Sequence, residues 1–386
     1  MVESYYNAAS GNWSTAANWL GGTNGNGTLP AAGDDVYANG KTITIDQNIT
    51  VNSLRTTAGT TAVAGGSFTV STGGKTLTVN NQITAGSTDC LTFSANSPNT
   101  LIITGSGLTV NGSSTTALKR GIVNNGTGTI SLTGNCQGGT QSSASGLLNN
   151  STGTVNITGN VTAGSGTAAT GASNNSTGTI AVNGNAVGAT GAGLVIGTGT
   201  GSCVNATGGS GASGYGASVS TGTLTISGTA TGGSLASGAI LSNTGNLTVA
   251  NATGGSGAGA HGVYHNGTGT LTVSGTTTGG SNAQAYGAFN GNTGKLRLAT
   301  VTASSTSPAV ADNPPTVGFT SVSGPISNST GVNAIIVTRV CLVAACDWTI
   351  AISGTPPAYN GTVTIGQKGG GGPVAKQTII TNIGTY

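Results

Sequence analysis

The amino-acid sequence predicts an all-β chain, wound as a single-chain, right-handed parallel β-helix. Three observations carry that reading. The dipeptide Thr-Gly returns at intervals of about two dozen residues, aliphatic residues follow it at two fixed offsets, and apolar residues elsewhere alternate with Thr, Ser and Asn. Alternation of period two marks strands with one buried face.

The repeat aligns on eight Thr-Gly starts, at Thr127, Thr152, Thr177, Thr198, Thr221, Thr244, Thr268 and Thr293, separated by 21 to 25 residues. Propeller blades and helical repeats need roughly 33 to 50 residues, and hexapeptide or nonapeptide turns far fewer. A three-faced β-helical coil of roughly 24 residues fits, about a dozen of them in all. Three and five residues after each Thr stand the inward slots: Ile130 and Leu132, Val155 and Ile157, Ile180 and Val182, then Leu224 and Ile226, Leu247 and Val249, Leu271 and Val273, Leu296 and Leu298. Strands stack at about 4.8 Å, so each of these side chains is expected on its counterpart in the next coil. The copy at Thr198 puts Gly201 and Cys203 in the slots, which predicts a thin or bulged coil.

Corners come next. Six residues before the Thr stands Gly121, Gly146, Gly171, Gly238, Gly262 or Gly287, where the missing Cβ permits either φ > 0 or a close approach. Three residues before it stands Asn124, Asn149, Asn174 or Asn290, which could form an amide ladder along the stack. The Gly-Gly pairs Gly208-Gly209, Gly232-Gly233, Gly254-Gly255 and Gly279-Gly280 mark further corners. Upstream alternation around Ile43, Phe68, Leu77 and Leu101 starts the helix near residue 36. A solenoid needs capped ends. Residues 1–35, with Trp13 and Trp19 as apolar plugs beside the Pro30 and Gly33 turn, are read as an N-terminal cap; 36–301 as the parallel β-helix; and 302–386, where Pro residues concentrate, as a small C-terminal β domain for capping or assembly.

Composition narrows the function. Only 4% of residues are charged and Gly accounts for 71 of 386, against about 25% and about 7% in ordinary domains. Ten basic and seven acidic residues, spread thinly, offer no stripe for a row of phosphates, so nucleic acid is not an expected partner. No charged, apolar leader opens the chain, and no run of about 18 apolar residues is present, so neither a secretion leader nor membrane insertion is expected. Cys90, Cys136, Cys203, Cys341 and Cys346 are odd in number and scattered, which reads as reduced core cysteines.

Residues 90 to 311 contain no Asp and no Glu. Polysaccharide cleavage needs paired carboxylates, or acidic calcium ligands with a base nearby. The remaining acids are Glu3, Asp34, Asp35, Asp46, Asp89, Asp312 and Asp347. Asp34 and Asp35 are adjacent, hence on opposite faces of a strand, and turn capping is the expected role. His261 and His265 stand four apart with no third metal ligand near, and His265 falls in the Asn ladder slot. Cys341 and Cys346, five apart, point to opposite faces of a strand. No catalytic residue, metal site or cofactor is therefore expected, and the chain is read as non-enzymatic. Outward Thr223, Thr225, Thr270 and Thr272 resemble the Thr rows of ice-binding solenoids, but Asn156, Ala181, Asn246, Lys295 and Arg297 break the columns.

The opening Gly11-Asn12-Trp13-Ser14-Thr15-Ala16-Ala17-Asn18-Trp19, then Leu29-Pro30 and Gly33-Asp34-Asp35-Val36, resembles the entry segment of β-helical surface proteins of bacteria and tailed phages. That family includes autotransporter adhesin passengers and phage fibre, spike and decoration proteins. The resemblance covers about the first 40 residues directly. It implies a structural protein of a phage virion, assembled in the host cytoplasm, homotrimeric, attached to other virion proteins, with a host-surface glycan as a further partner. The alternative it implies is a bacterial cell-surface adhesin or matrix protein; an autotransporter would carry a leader and a C-terminal barrel, which favours the virion. A polysaccharide-degrading enzyme ranks third.

Overall fold

The computed structural model describes residues 2–70, 75–84, 89, 91–93, 100–104, 109–111, 120–282, 284–303, 309–312, 319–322, 326–328, 335–339, 348–352, 363–367 and 378–381. It is a parallel β-helix in which strands pair almost entirely with the equivalent strand of the next coil. The one helical turn among the described residues is a 3-10 turn at Ala16–Asn18. The chain divides into two compact units, Met1–Gly193 with Gly199–Cys203, and Leu194–Thr198 with Val204–Tyr386.

In the first unit the coils from residue 122 onward carry a three-residue strand followed by a longer one. Ile122–Asn124, Leu147–Asn149 and Ala172–Asn174 stack in parallel, with Asn124, Asn149 and Asn174 in register. Thr129–Thr133, Thr154–Thr158 and Thr179–Val187 form the second face, and Ile130, Val155 and Ile180 lie on one another, as do Leu132, Ile157 and Val182. All six side chains are at most 1% exposed. Asn135–Gln137 and Val161–Thr162 make the third face, reached through a bend at Gly134 and Gly159, with φ of 137° and 150°. The aliphatic columns extend upstream, because Ile49 registers on Leu77, Leu77 on Ile103, and Ile103 on Leu132. Burying each such side chain contributes about 1.5–3 kcal/mol.

The first coil closes the end of the stack. Strand Val2–Tyr6 pairs in parallel with Asp34–Tyr37 on one edge and antiparallel with Trp19–Gly21 on the other. That antiparallel strand occupies backbone groups that would otherwise form an open edge. Trp19 packs against Trp13 at 4.6 Å between ring centroids and edge-on against Tyr6 at 4.9 Å. All three are at most 1% exposed, and the Trp19 indole N–H donates to the Trp13 carbonyl at 2.9 Å. The expected plug is thus a satisfied aromatic cluster.

In the second unit, Ala217–Val219, Ala239–Leu241, Val263–His265 and Ala288–Asn290 form the short-strand face. Thr223–Thr231, Asn246–Thr253, Thr270–Thr278 and Lys295–Ala303 form the long one. Leu224, Leu247, Leu271 and Leu296 stack at 0% exposure. Register shifts between Ile226 and Thr229, and at the same place in the next two coils, put the bend inside each long strand. Beyond residue 302 the described strands follow the same ladders: Val310–Asp312, Ile335–Arg339 and Val363–Gln367 on the short face, and Phe319–Val322, Trp348–Ile352 and Thr378–Thr381 on the long one.

Strand Thr200–Thr207 buries Gly201 and Cys203 at its inward positions, so this coil is thinly filled, and the division between the units falls here. The corner glycines resolve to close approach, since none of the six has positive φ. A Cβ on Gly146 would lie 2.6 Å from the Thr162 carbonyl oxygen, and one on Gly262 would lie 2.4 Å from that of Gly287.

Candidate functional site

Carboxylates come first, because they would carry any hydrolysis. Asp34 accepts hydrogen bonds from the Thr23 N–H at 3.1 Å, the Thr23 hydroxyl and the Ala31 N–H at 2.8 Å. Asp35 turns to other partners: Asn52 Nδ2 at 2.6 Å, the Ser53 hydroxyl at 2.6 Å and the Arg55 guanidinium at 3.4 Å. Asp46 takes the Ser14 N–H at 3.0 Å and its hydroxyl at 2.6 Å. Asp89 takes the Arg120 N–H at 2.9 Å, with the guanidinium 3.8 Å away. Glu3 accepts from the Thr60 N–H at 2.8 Å and the Ala62 N–H at 2.7 Å. Burial would raise its carboxyl, but these bonds outweigh that effect and hold it below its ordinary value. Glu3, Asp34 and Asp46 therefore anchor loops of the first coils, Asp35 ties its strand to the neighbouring strand Ile49–Arg55, and Asp89 holds the backbone of Arg120. Asp312 lies on a described strand whose side chain is not described, and Asp347 lies outside the described residues.

The histidines occupy two distinct environments. His265 is fully buried and registers on Asn290. Its Nε2–H donates to the Gly269 carbonyl at 3.2 Å, four residues on, as Asn149 and Asn174 donate to Gly153 and Gly178 at 3.1 and 2.6 Å. The imidazole thus does the job of the Asn amide. Asn124 also donates to Asn149 Oδ1 at 2.9 Å, one rung of the expected ladder. His261 sits at the corner before Gly262, 8% exposed, with its ring 5.1 Å from Tyr286 and 5.1 Å from Phe289. Its Nδ1 accepts the Tyr286 N–H at 3.1 Å. Among the described residues no group of three His, Cys, Asp or Glu could hold a metal ion.

Burial lowers both imidazoles, His261 to about 4. The unfolded chain then binds more protons than the folded one between about pH 6.5 and about 4, so stability is complete above that window and falls as pH drops through it. A His261→Gln variant is expected to lose that part of the slope, about 3 kcal/mol over the window. Melting temperatures of both proteins from pH 7 to pH 4 check it; identical slopes would remove His261 as the source.

Cys136 and Cys203 are buried thiols outside any disulfide. Cys136 donates its thiol to the Gly146 carbonyl at 2.9 Å, and burial pushes the Cys203 thiol up to about 12, so it stays protonated. Cys90, Cys341 and Cys346 lie outside the described residues. On the long face Thr223 and Thr225 are exposed, and the columns run Thr223, Asn246, Thr270, Lys295 and Thr225, Thr248, Thr272, Arg297. A basic pair thus ends the Thr rows.

Sequence reading missed two features. The first is an outward Asn at the bend: Asn135 Oδ1 accepts the Asn160 N–H and Asn160 Oδ1 the Asn185 N–H, both at 2.9 Å, while Asn205 and Asn251 serve Thr229 and Thr276 at 2.8 Å in the second unit. Its signal is the dipeptide Gly-Asn at Gly134, Gly159 and Gly184. The second is the aromatic group around His261.

These features define a parallel β-helix whose described polar side chains brace its own coils. No family model matches the chain, and no curated protein or solved structure matches it.

Proposed function

We propose that the chain is a non-enzymatic structural protein of a phage virion: a fibre, spike or decoration protein that assembles as a homotrimer, attaches to other virion proteins and meets the host surface with its flanks. The observation that carries the non-catalytic reading is that Glu3, Asp34, Asp35, Asp46 and Asp89 each accept hydrogen bonds that tie neighbouring loops or strands together, while residues 90 to 311 supply no carboxylate at all. The entry segment supports a surface protein, and because bacterial adhesins share it, a cell-surface adhesin is the second reading.

Electron microscopy with an antibody raised against residues 302–386 separates the two. Label on purified virions, at the head or the tail, is expected. Label confined to cell surfaces would favour the adhesin. Cleavage of host polysaccharide by the purified chain, lost in Asp35→Ala, would overturn the non-catalytic reading.

A further inference from the structure

Most coils put small or aliphatic side chains on the outer side of the short-strand face. At the corner before the strand stand Ser145, Thr170 and Ser237, and at its middle Ser173, Ser218 and Ile240. Rings break this habit in the second unit: Tyr215 holds the corner two coils earlier, and two successive coils then carry rings in both columns. The corner column runs from Ser237 to His261 to Tyr286, and the strand column from Ile240 to Tyr264 to Phe289. Core packing does not call for these rings, since Val263 and Ala288 already fill the inward positions at 0% exposure.

The rings are ordered against one another. His261, Tyr286 and Phe289 have planes within 27° of parallel, with centroids 5.1 to 5.7 Å apart, and Tyr264 tilts against Phe289 at 5.3 Å. Tyr264, Tyr286 and Phe289 are partly exposed, and Asn266 is exposed. Beside them stands Gly291, without a side chain. A Cβ there would crowd Phe289 Cε1 at 3.1 Å and Tyr264 Cε2 at 3.4 Å and touch Asn266 Oδ1 at 3.5 Å, so the absence of a side chain leaves two ring edges and an amide oxygen uncovered at this point.

Size and charge select the occupant. Two coils at about 4.8 Å and five residues at about 3.3 Å each give a patch of roughly 10 by 15 Å, well below the roughly 800 Å² per partner of a stable protein interface. Residues 121 to 294 hold no Asp, Glu, Lys or Arg, so nothing in this stretch would offset a phosphate or a uronate. What remains is an uncharged ligand with flat apolar faces and a rim of hydroxyls, suited to aromatic rings, phenols and an amide. We propose that Tyr264, Tyr286 and Phe289, with Asn266 beside Gly291, form a binding platform for a neutral saccharide about two sugar rings long.

The assignment deepens the proposed surface role and rests on it for biological meaning, but the tests are separate, because microscopy reads location and the following experiment reads binding. The full chain is run in native gels containing dextran, mannan, galactan or β-glucan, with alginate as the anionic comparison. Retardation is expected in at least one neutral gel and not in alginate. The double variant Tyr264→Ala with Phe289→Ala, and separately Asn266→Ala, which removes the exposed amide and keeps the rings, should each weaken retardation about tenfold, with melting temperatures close to the parent's. Passage through every neutral gel without retardation, retardation in alginate alone, or retardation unchanged in both variants overturns the proposal. So does self-association in sedimentation velocity that the same variants abolish, which would give the patch to a second copy of the chain.

Discussion

Leu271→Asp is expected to cost at least about 4 kcal/mol and to open the coils on either side of it to protease. Leu271 is 0% exposed and lies between Leu247 and Leu296 in an aliphatic column. The substitution removes the Leu contacts with both neighbours and places a carboxyl among aliphatics, where it must either stay charged without a partner or take up a proton at a cost. Residues 121 to 294 include no Lys or Arg that could pair with it. Solenoid coils contact mainly their neighbours, so damage should concentrate near the site and appear as new cleavage around residues 247–296 under limited proteolysis. Thr272→Asp is the control, because its side chain lies on the outer face one residue away and should shift stability by less than about 0.5 kcal/mol. Equal urea midpoints for the two variants would show that the inward and outward assignments are wrong.

That contrast also shows why much of the fold was legible. A coil's core is built from side chains repeating at fixed offsets, and Ile130, Val155, Ile180, Leu224, Leu247, Leu271 and Leu296 stand three residues after their Thr because the same strand position recurs each turn. The bend was harder to read. Its Gly-Asn signal sits among many Gly, Ser, Thr and Asn residues, and only the structure shows Asn135 and Asn160 holding the N–H of the next coil. The rise in Pro after residue 302 predicts a small C-terminal β domain, and the described strands there follow the pairing order of the coils before them. The aromatic platform escaped because aromatics elsewhere in the chain, such as Trp13, Phe68 and Phe93, are buried core residues, and sequence alone does not say which side of a three-residue strand faces out.

Gly255→Ala is expected to be nearly as damaging, for a different reason. The second glycine of each Gly-Gly pair lies directly over its counterpart in the preceding coil: a Cβ would fall 1.6 Å from the Gly209 carbonyl oxygen at Gly233, 1.7 Å from that of Gly233 at Gly255, and 1.7 Å from that of Gly255 at Gly280. Ordinary C···O contacts are about 3.3 Å or longer, so one coil would have to retreat by about 1.5 Å. That retreat would stretch the bond from the Gly255 N–H to the Ala236 carbonyl, now 3.0 Å; overpacking strain typically costs about 1–3 kcal/mol, and a clash of this depth against backbone belongs at the top of that range or above it. Gly259→Ala separates space from backbone conformation. Gly259 has φ of 70° with nothing within 4 Å of the added carbon, so its substitution should cost only the left-handed penalty of about 1–2 kcal/mol. A Gly255 variant clearly less stable than the Gly259 variant would establish that glycine is required at these corners because coil must touch coil. Equal losses would mean that the coils can separate there, and that the aliphatic columns alone set the spacing.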